Sequence, residues 1–169
     1  MIGYRNAGPD NGPEIAALFN RCFCDTFAHL YRDEDLQAFL DGSTPAAWTE
    51  EIGEAGVEVR LAEADGRAIG FAKLGPLTLP APDPPTHALE LRSLYVLEPW
   101  HGVGVARTLM DWVLARSRTR RAPALFLSVY TDNHRARRFY DRYGFRFVAP
   151  YAFMVGSHAD EDLIMRLDL

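Results

Sequence analysis

The bend His101-Gly102-Val103-Gly104 restricts the fold more than any other short stretch of this sequence. Before it, Leu89 to Leu97 reads as a long strand rich in large apolar residues, broken at Glu98-Pro99-Trp100. After it, Val105, Leu109, Trp112 and Val113 fall on one stripe of a helix. Small residues at such a junction let backbone approach a ligand closely and take conformations that side chains forbid. The free N–H groups of the helix start then face outward, where a pyrophosphate can accept from several at once. A tight strand-to-helix turn needs glycines as well, so the loop alone leaves both readings open. Two familiar readings fail. A P-loop needs Gly-Lys-Ser/Thr after the glycines, and none is present. A dinucleotide fingerprint follows a first strand, with an acidic residue about 20 positions on. Here the bend follows the fourth strand-like run, and Arg120-Arg121 occupies that later region.

The remaining periodicity places this bend in an ordered series. Ile2 to Arg5 reads as an opening strand, and Ile15, Leu18, Phe19, Cys22 and Phe23 mark one face of a helix. Short helices are expected over Asp33 to Leu40 and Pro45 to Ile52. Val57 to Glu63 alternates with period two, Asp65-Gly66 turns, and Ala68 to Leu74 returns. Gly75 to Pro85 carries five prolines and cannot be an interior strand. Leu125 to Tyr130 reads as a buried strand. Asp132-Asn133 opens a further helix, for which Gly144 is a left-handed stop. Phe147 to Val155 and Asp162 to Leu169 are the final strands. The order β-α-α-α-β-β-β-α-β-α-β-β implies hairpin pairing together with some parallel pairing. One α/β domain over residues 1–169 follows, with a mixed sheet of about seven strands and helices on both faces.

Composition narrows the function. A chain of 169 residues, 48% hydrophobic and 24% charged, is ordinary globular usage for one domain. The opening Met1 to Arg5 lacks the apolar region of a signal peptide, and no run reaches the roughly 20 apolar residues of a membrane span. A cytoplasmic protein without a membrane partner is expected. The net charge of -5 argues against nucleic acid as a partner and is compatible with a cationic substrate or a plain solvated surface. Cys22 and Cys24, two apart on a helix, point in different directions and make a poor metal site. No metal is expected, and the thiols read as free and remote from the glycine bend.

Two segments carry a family resemblance. Glu90 to Met110 resembles the central acetyl-CoA motif of the GNAT N-acetyltransferase superfamily, whose Gln/Arg-x-x-Gly-x-Gly/Ala pattern maps to His101, Gly104 and Ala106. Leu127 to Phe145 is similar to that family's second helix, with Asn133, Ala136, Phe139, Tyr140, Gly144 and Phe145 at matching positions. Asp25 to Tyr31, Phe153 to Gly156 and Asp162 to Met165 resemble the bacterial spermine/spermidine acetyltransferase branch. His101 departs from the pattern: histidine is shorter than arginine and lacks its fixed charge.

The resemblance implies an acetyl-CoA-dependent N-acetyltransferase of GNAT-like fold, acting on a small amine such as a polyamine. A protein amino terminus or lysine is the alternative acceptor, and a CoA-binding sensor without catalysis is a third reading. The family's members often pair, so a homodimer is among the expected assemblies. By the same resemblance, backbone groups of Leu94 and Val96, with Tyr95 between them, bond the pantetheine arm. His101, Gly102, Val103, Gly104, Val105, Ala106 and Arg107 wrap the pyrophosphate, and Asn133 bonds the cofactor arm or simply caps its helix. Tyr140 maps to the general acid that protonates the departing thiolate, with a core tyrosine as the plain alternative. Glu90 stands where relatives keep an acidic residue that draws the amine's proton or binds its charge. A charged residue on an exposed strand face is the competing reading. An alkylammonium with a pKa near 10.4 is neutral in roughly one molecule per few thousand at pH 7. Desolvation and a base must therefore close a gap of about 4–5 kcal/mol.

Overall fold

One sheet of seven strands organises the chain, whose computed structural model describes residues 1–169. The elements are β1 (Ile2–Ala7), α1 (Gly12–Phe27), α2 (Asp33–Gly42), α3 (Pro45–Ile52), β2 (Glu58–Ala64), β3 (Arg67–Pro76), β4 (Leu89–Val96), α4 (Val105–Thr119), β5 (Ala124–Tyr130), α5 (His134–Arg142), β6 (Arg146–Val155) and β7 (His158–Asp168). Their order matches the sequence pattern. In space the strands run β1-β2-β3-β4-β5-β7-β6. Only β4 and β5 pair in parallel, because α4 carries the chain back across the sheet between them; every other pair is antiparallel.

Each face of the sheet has its own core. On one face α4 buries Val105, Leu109, Met110 and Val113 against Leu74, Leu91, Leu125 and Leu127. Trp112, expected on that stripe, lies at its rim, and Met110 takes the central place. On the other face Ile15, Phe19 and Phe23 of α1 meet Trp48 of α3 and Phe71 of β3. Loss of any one of these fully buried large side chains costs on the order of 2–5 kcal/mol.

Two departures from the sequence pattern bear on the site. First, β7 begins at His158 rather than Asp162, pairing with β6 as far as Val155↔His158. The run His158 to Glu161 is too polar to read as a strand, yet its backbone completes the hairpin ladder. Second, β3 and β4 change register between Lys73 and Leu74, where Lys73 faces Ser93 and Leu74 faces Leu91. Arg92 is thus an extra residue in β4, and such a bulge bends the strand that carries it.

Candidate active site

The bend in β4 opens the sheet. Pairing between β4 and β5 consists of Leu89↔Leu125 and Glu90↔Phe126 and goes no further, although both strands continue. From Leu91 to Val96, β4 is bonded to β3 on one side and to no strand on the other. A cleft of about 180 Å³ fills the wedge, walled by Leu94 and Val96 from β4 and by Ser128 and Val129 from β5. Tyr95 turns to the α1 face, stacked on Phe71 with the edge of Phe19 against it.

At the wide end of the wedge lies the glycine turn. Gly102 and Gly104 have φ of +78° and +95°, a region that favours glycine, and a Cβ built on either meets no atom within 4 Å. The main-chain N–H groups of Gly102, Val103, Gly104, Val105, Ala106 and Arg107 donate to no backbone carbonyl; the first helical bond is Thr108 N–H to the Gly104 carbonyl. Six consecutive free donors at a helix start suit an anion with several acceptor oxygens. Ala106 lines the cavity of about 360 Å³ above them, Val105 buries its side chain in the core, and Val103 is exposed at the tip. Arg107 points outward on the surface.

His101 lines the cradle cavity but offers it no free ring nitrogen. Its Nε2–H donates to the Val96 carbonyl at 2.7 Å, and its Nδ1 accepts from Nη1 of Arg135 on α5. Both ring nitrogens are occupied within the protein. Arg135 thereby brings a permanent charge to the cavity wall beside the turn, restoring what histidine gives up.

From α5 come Asn133 and Tyr140. Asn133 is the helix cap, its Oδ1 accepting from Ala136 N–H at 3.2 Å, while its Nδ2 has no partner and the residue lines the cleft. Cap and cleft wall are both real positions for it. Tyr140 is 8% exposed, and its hydroxyl bonds to no protein group. It lines both the cradle cavity and the wedge cleft, standing where the two meet. Burial raises its pKa, so the phenol keeps its proton and is a donor.

Residues 13–145 match the model of the acetyltransferase (GNAT) family. The chain belongs to that family. An uncharacterized N-acetyltransferase of Mycobacterium tuberculosis is 31% identical over 157 residues, covering 92% of this chain and 96% of that protein. Among solved structures, the PaiA N-acetyltransferase of Thermoplasma acidophilum in complex with coenzyme A superposes with a TM-score of 0.79 at 18% identity, covering 100% of this chain and 99% of that one. YncA of Salmonella typhimurium, with its cofactor acetyl-CoA, gives 0.73 at 21% identity, covering 100% and 94%. These likenesses show the same mixed-sheet fold.

On the α1 face this GNAT acetyltransferase carries groups the sequence pattern does not single out. Asp160 and Asp162, two apart on β7, both face the cleft, together with Tyr31, Cys22 and Tyr95. Asp160 accepts from the Tyr31 hydroxyl and lies 3.3 Å from His158 Nε2. Asp162 is 7% exposed and has no ion-pair partner; burial, with Asp160 second, pushes its carboxyl up to about 7, against a favourable contact with Ser128. The hairpin that carries both is fixed to α2. Asp35 accepts from Ser157 N–H at 2.7 Å and from its hydroxyl at 2.8 Å, and Gly156 lies so close to Asp35 that a Cβ would come within 2.6 Å of its Cα.

Two expectations need correcting. Glu90 does not face the cleft. Its Oε2 accepts from Thr78 N–H, Thr78 Oγ1–H and Leu79 N–H at 2.8–3.1 Å, pinning the proline-rich loop, and it lines neither cavity. Cys22 is not remote: it lines the cleft beside Val96. Burial pushes its thiol up to about 12, so it stays a thiol rather than a nucleophilic thiolate. His29, exposed after α1, lines an adjoining cavity of about 430 Å³ with Asp25 and Glu98. No helix is long and apolar enough to cross a membrane.

Proposed function

We propose that this GNAT acetyltransferase moves the acetyl group of acetyl-CoA onto a small primary alkylamine, polyamines being the leading class. One observation carries the reading: Tyr140 stands at the junction of an anion cradle and an acid-floored cleft. The cradle's six free N–H groups and Arg135 suit the pyrophosphate of CoA, and the open edge of β4 suits its extended arm. The amine enters from the α1 side, where Asp160 and Asp162 favour a cation over a carboxylate.

The chemistry follows from these positions. The amine nitrogen attacks the thioester carbonyl carbon, the C–S bond breaks, and the Tyr140 hydroxyl gives its proton to the departing sulfur. Burial keeps that proton on Tyr140 at neutral pH. Cys22 supplies no acyl-enzyme, because its sulfur is protonated.

A CoA-release screen with spermidine, n-butylamine, an N-terminal peptide and a lysine peptide tests this, beside calorimetry of CoA binding. Release with the alkylamines is expected. Release with peptides alone overturns the small-amine assignment in favour of protein acetylation. Binding without release on any acceptor points to a sensor.

A further inference from the structure

Asp162 has no counter-ion in the cleft, whereas Asp160 has His158 beside it. Asp162 sits opposite Tyr130 at the end of β5 that has parted from β4, on the same cleft as Tyr140. Each charged or titratable group facing that cleft is otherwise engaged or neutral. Arg92 of β4 binds Glu54 and the Pro76 carbonyl, and Arg135 of α5 binds His101. Tyr31, Tyr95, Tyr130, Tyr140 and Cys22 are held neutral, burial being the largest cause for each. Asp160 of β7 is bonded to Tyr31, lies 3.3 Å from His158 Nε2, and adds negative charge. A carboxylate this buried, beside a second one and without a cation, is unfavourable unless it takes a proton or meets a cationic ligand. Both happen in turn when an ammonium arrives and is deprotonated.

We propose that Asp162 accepts the proton of the incoming alkylammonium, with the Asp160–Tyr31 pair holding the charge beside it. This rests on the acetyltransferase reading above. The ammonium N–H bond breaks and its proton passes to a carboxylate oxygen of Asp162, leaving a neutral amine. The amine attacks, the thiolate leaves with the Tyr140 proton, and a second proton from the new amide nitrogen returns to Tyr140 through solvent. Asp162 then releases its proton to water. The sum is one ammonium and one thioester giving one amide, one thiol and one proton. Asp162 suits the step because its carboxyl is about three powers of ten closer in acidity to the alkylammonium than an ordinary aspartate. The substrate it selects is a primary alkylamine with no carboxylate near the reacting nitrogen.

The test compares wild type, Asp162→Asn and Asp162→Glu, with acetyl-CoA and either spermidine or n-butylamine, from pH 6 to about 9.5. Wild-type kcat/KM is expected to fall below about pH 7, and Asp162→Asn to lower it by roughly 10²–10³ and lose that acidic limb. CoA affinity stays unchanged in Asp162→Asn, and Asp162→Glu recovers at least about tenfold. An Asp162→Asn enzyme within roughly threefold of wild type, or one keeping the acidic limb, overturns the inference while leaving the acetyltransferase reading standing. Should wild type release no CoA with either amine, the acceptor reading fails, and a carboxyl-carbon NMR titration of the CoA-loaded protein decides the cation site. A midpoint near 7 that drops by about one pH unit or more with spermidine supports it; an unmoved midpoint overturns it.

Discussion

Arg135 donates to Nδ1 of His101, so both ring nitrogens of the residue that opens the glycine turn are engaged and an arginine from the next helix stands beside it. Arg135→Ala is expected to weaken CoA binding by roughly tenfold and to flatten its salt dependence, as a lost phosphate-facing charge does. Calorimetry at two salt concentrations checks this. An unchanged affinity at both would mean that the backbone amides suffice.

Gly102 and Gly144 share a left-handed backbone, at φ +78° and +89°, but only Gly102 belongs to the cradle. An alanine at either costs roughly 1–2 kcal/mol of stability through strain. Gly102→Ala is expected to lose CoA affinity as well, because its methyl occupies ligand space that the protein leaves open. Gly144→Ala should keep that affinity. Equal affinity losses in both would point to general loosening instead.

Tyr140→Phe removes the one hydroxyl shared by the two cavities. Turnover is expected to fall by roughly 10²-fold with CoA affinity nearly intact, the pattern of a lost general acid. Because burial raises the phenol's pKa, wild type should show no loss of this proton at or below its ordinary value near ~10. An unchanged kcat in the variant would remove Tyr140 from the chemistry.

Glu90 holds a loop, and its substitutions should read as stability effects. Glu90→Gln keeps an acceptor oxygen for Thr78 and Leu79, so kcat is expected within roughly threefold of wild type. Glu90→Ala strands those donors and costs about 1–3 kcal/mol, visible as a lower Tm. A large kcat loss in a well-folded Glu90→Gln enzyme would restore it to the reaction.

Asp162 predicts a pH-dependent stability of the free protein. Its folded carboxyl titrates at about 7, while an unfolded aspartate titrates near ~3.9. The folded state therefore binds more protons between about pH 4 and 7, and stability is lost as pH rises through that window. Asp162→Asn removes the penalty, so its Tm should exceed that of wild type at about pH 8 and converge with it near pH 4, by roughly 2–4 °C for each kcal/mol. Thermal scans at both values check the sign. A variant less stable than wild type at pH 8 contradicts it.

Sequence alone determined the order of the elements, the mixed sheet and the glycine turn, though not the start of β7, because those follow from local periodicity and from the backbone freedom of Gly102 and Gly104. Tyr140 and Asn133 were legible through the family resemblance that the segment around α5 carries, and both line the cleft. The two carboxylates were not. Asp160 and Asp162 sit in a polar run that resembles any exposed hairpin, and only the folded hairpin, pinned through Tyr31 and Asp35, buries them. Glu90 shows the converse: the resemblance suggested a base, but three donors from Thr78 and Leu79, in the preceding loop, claim its oxygen. Burial and partner choice depend on contacts between distant segments, so tertiary structure alone decided which acids line the cleft.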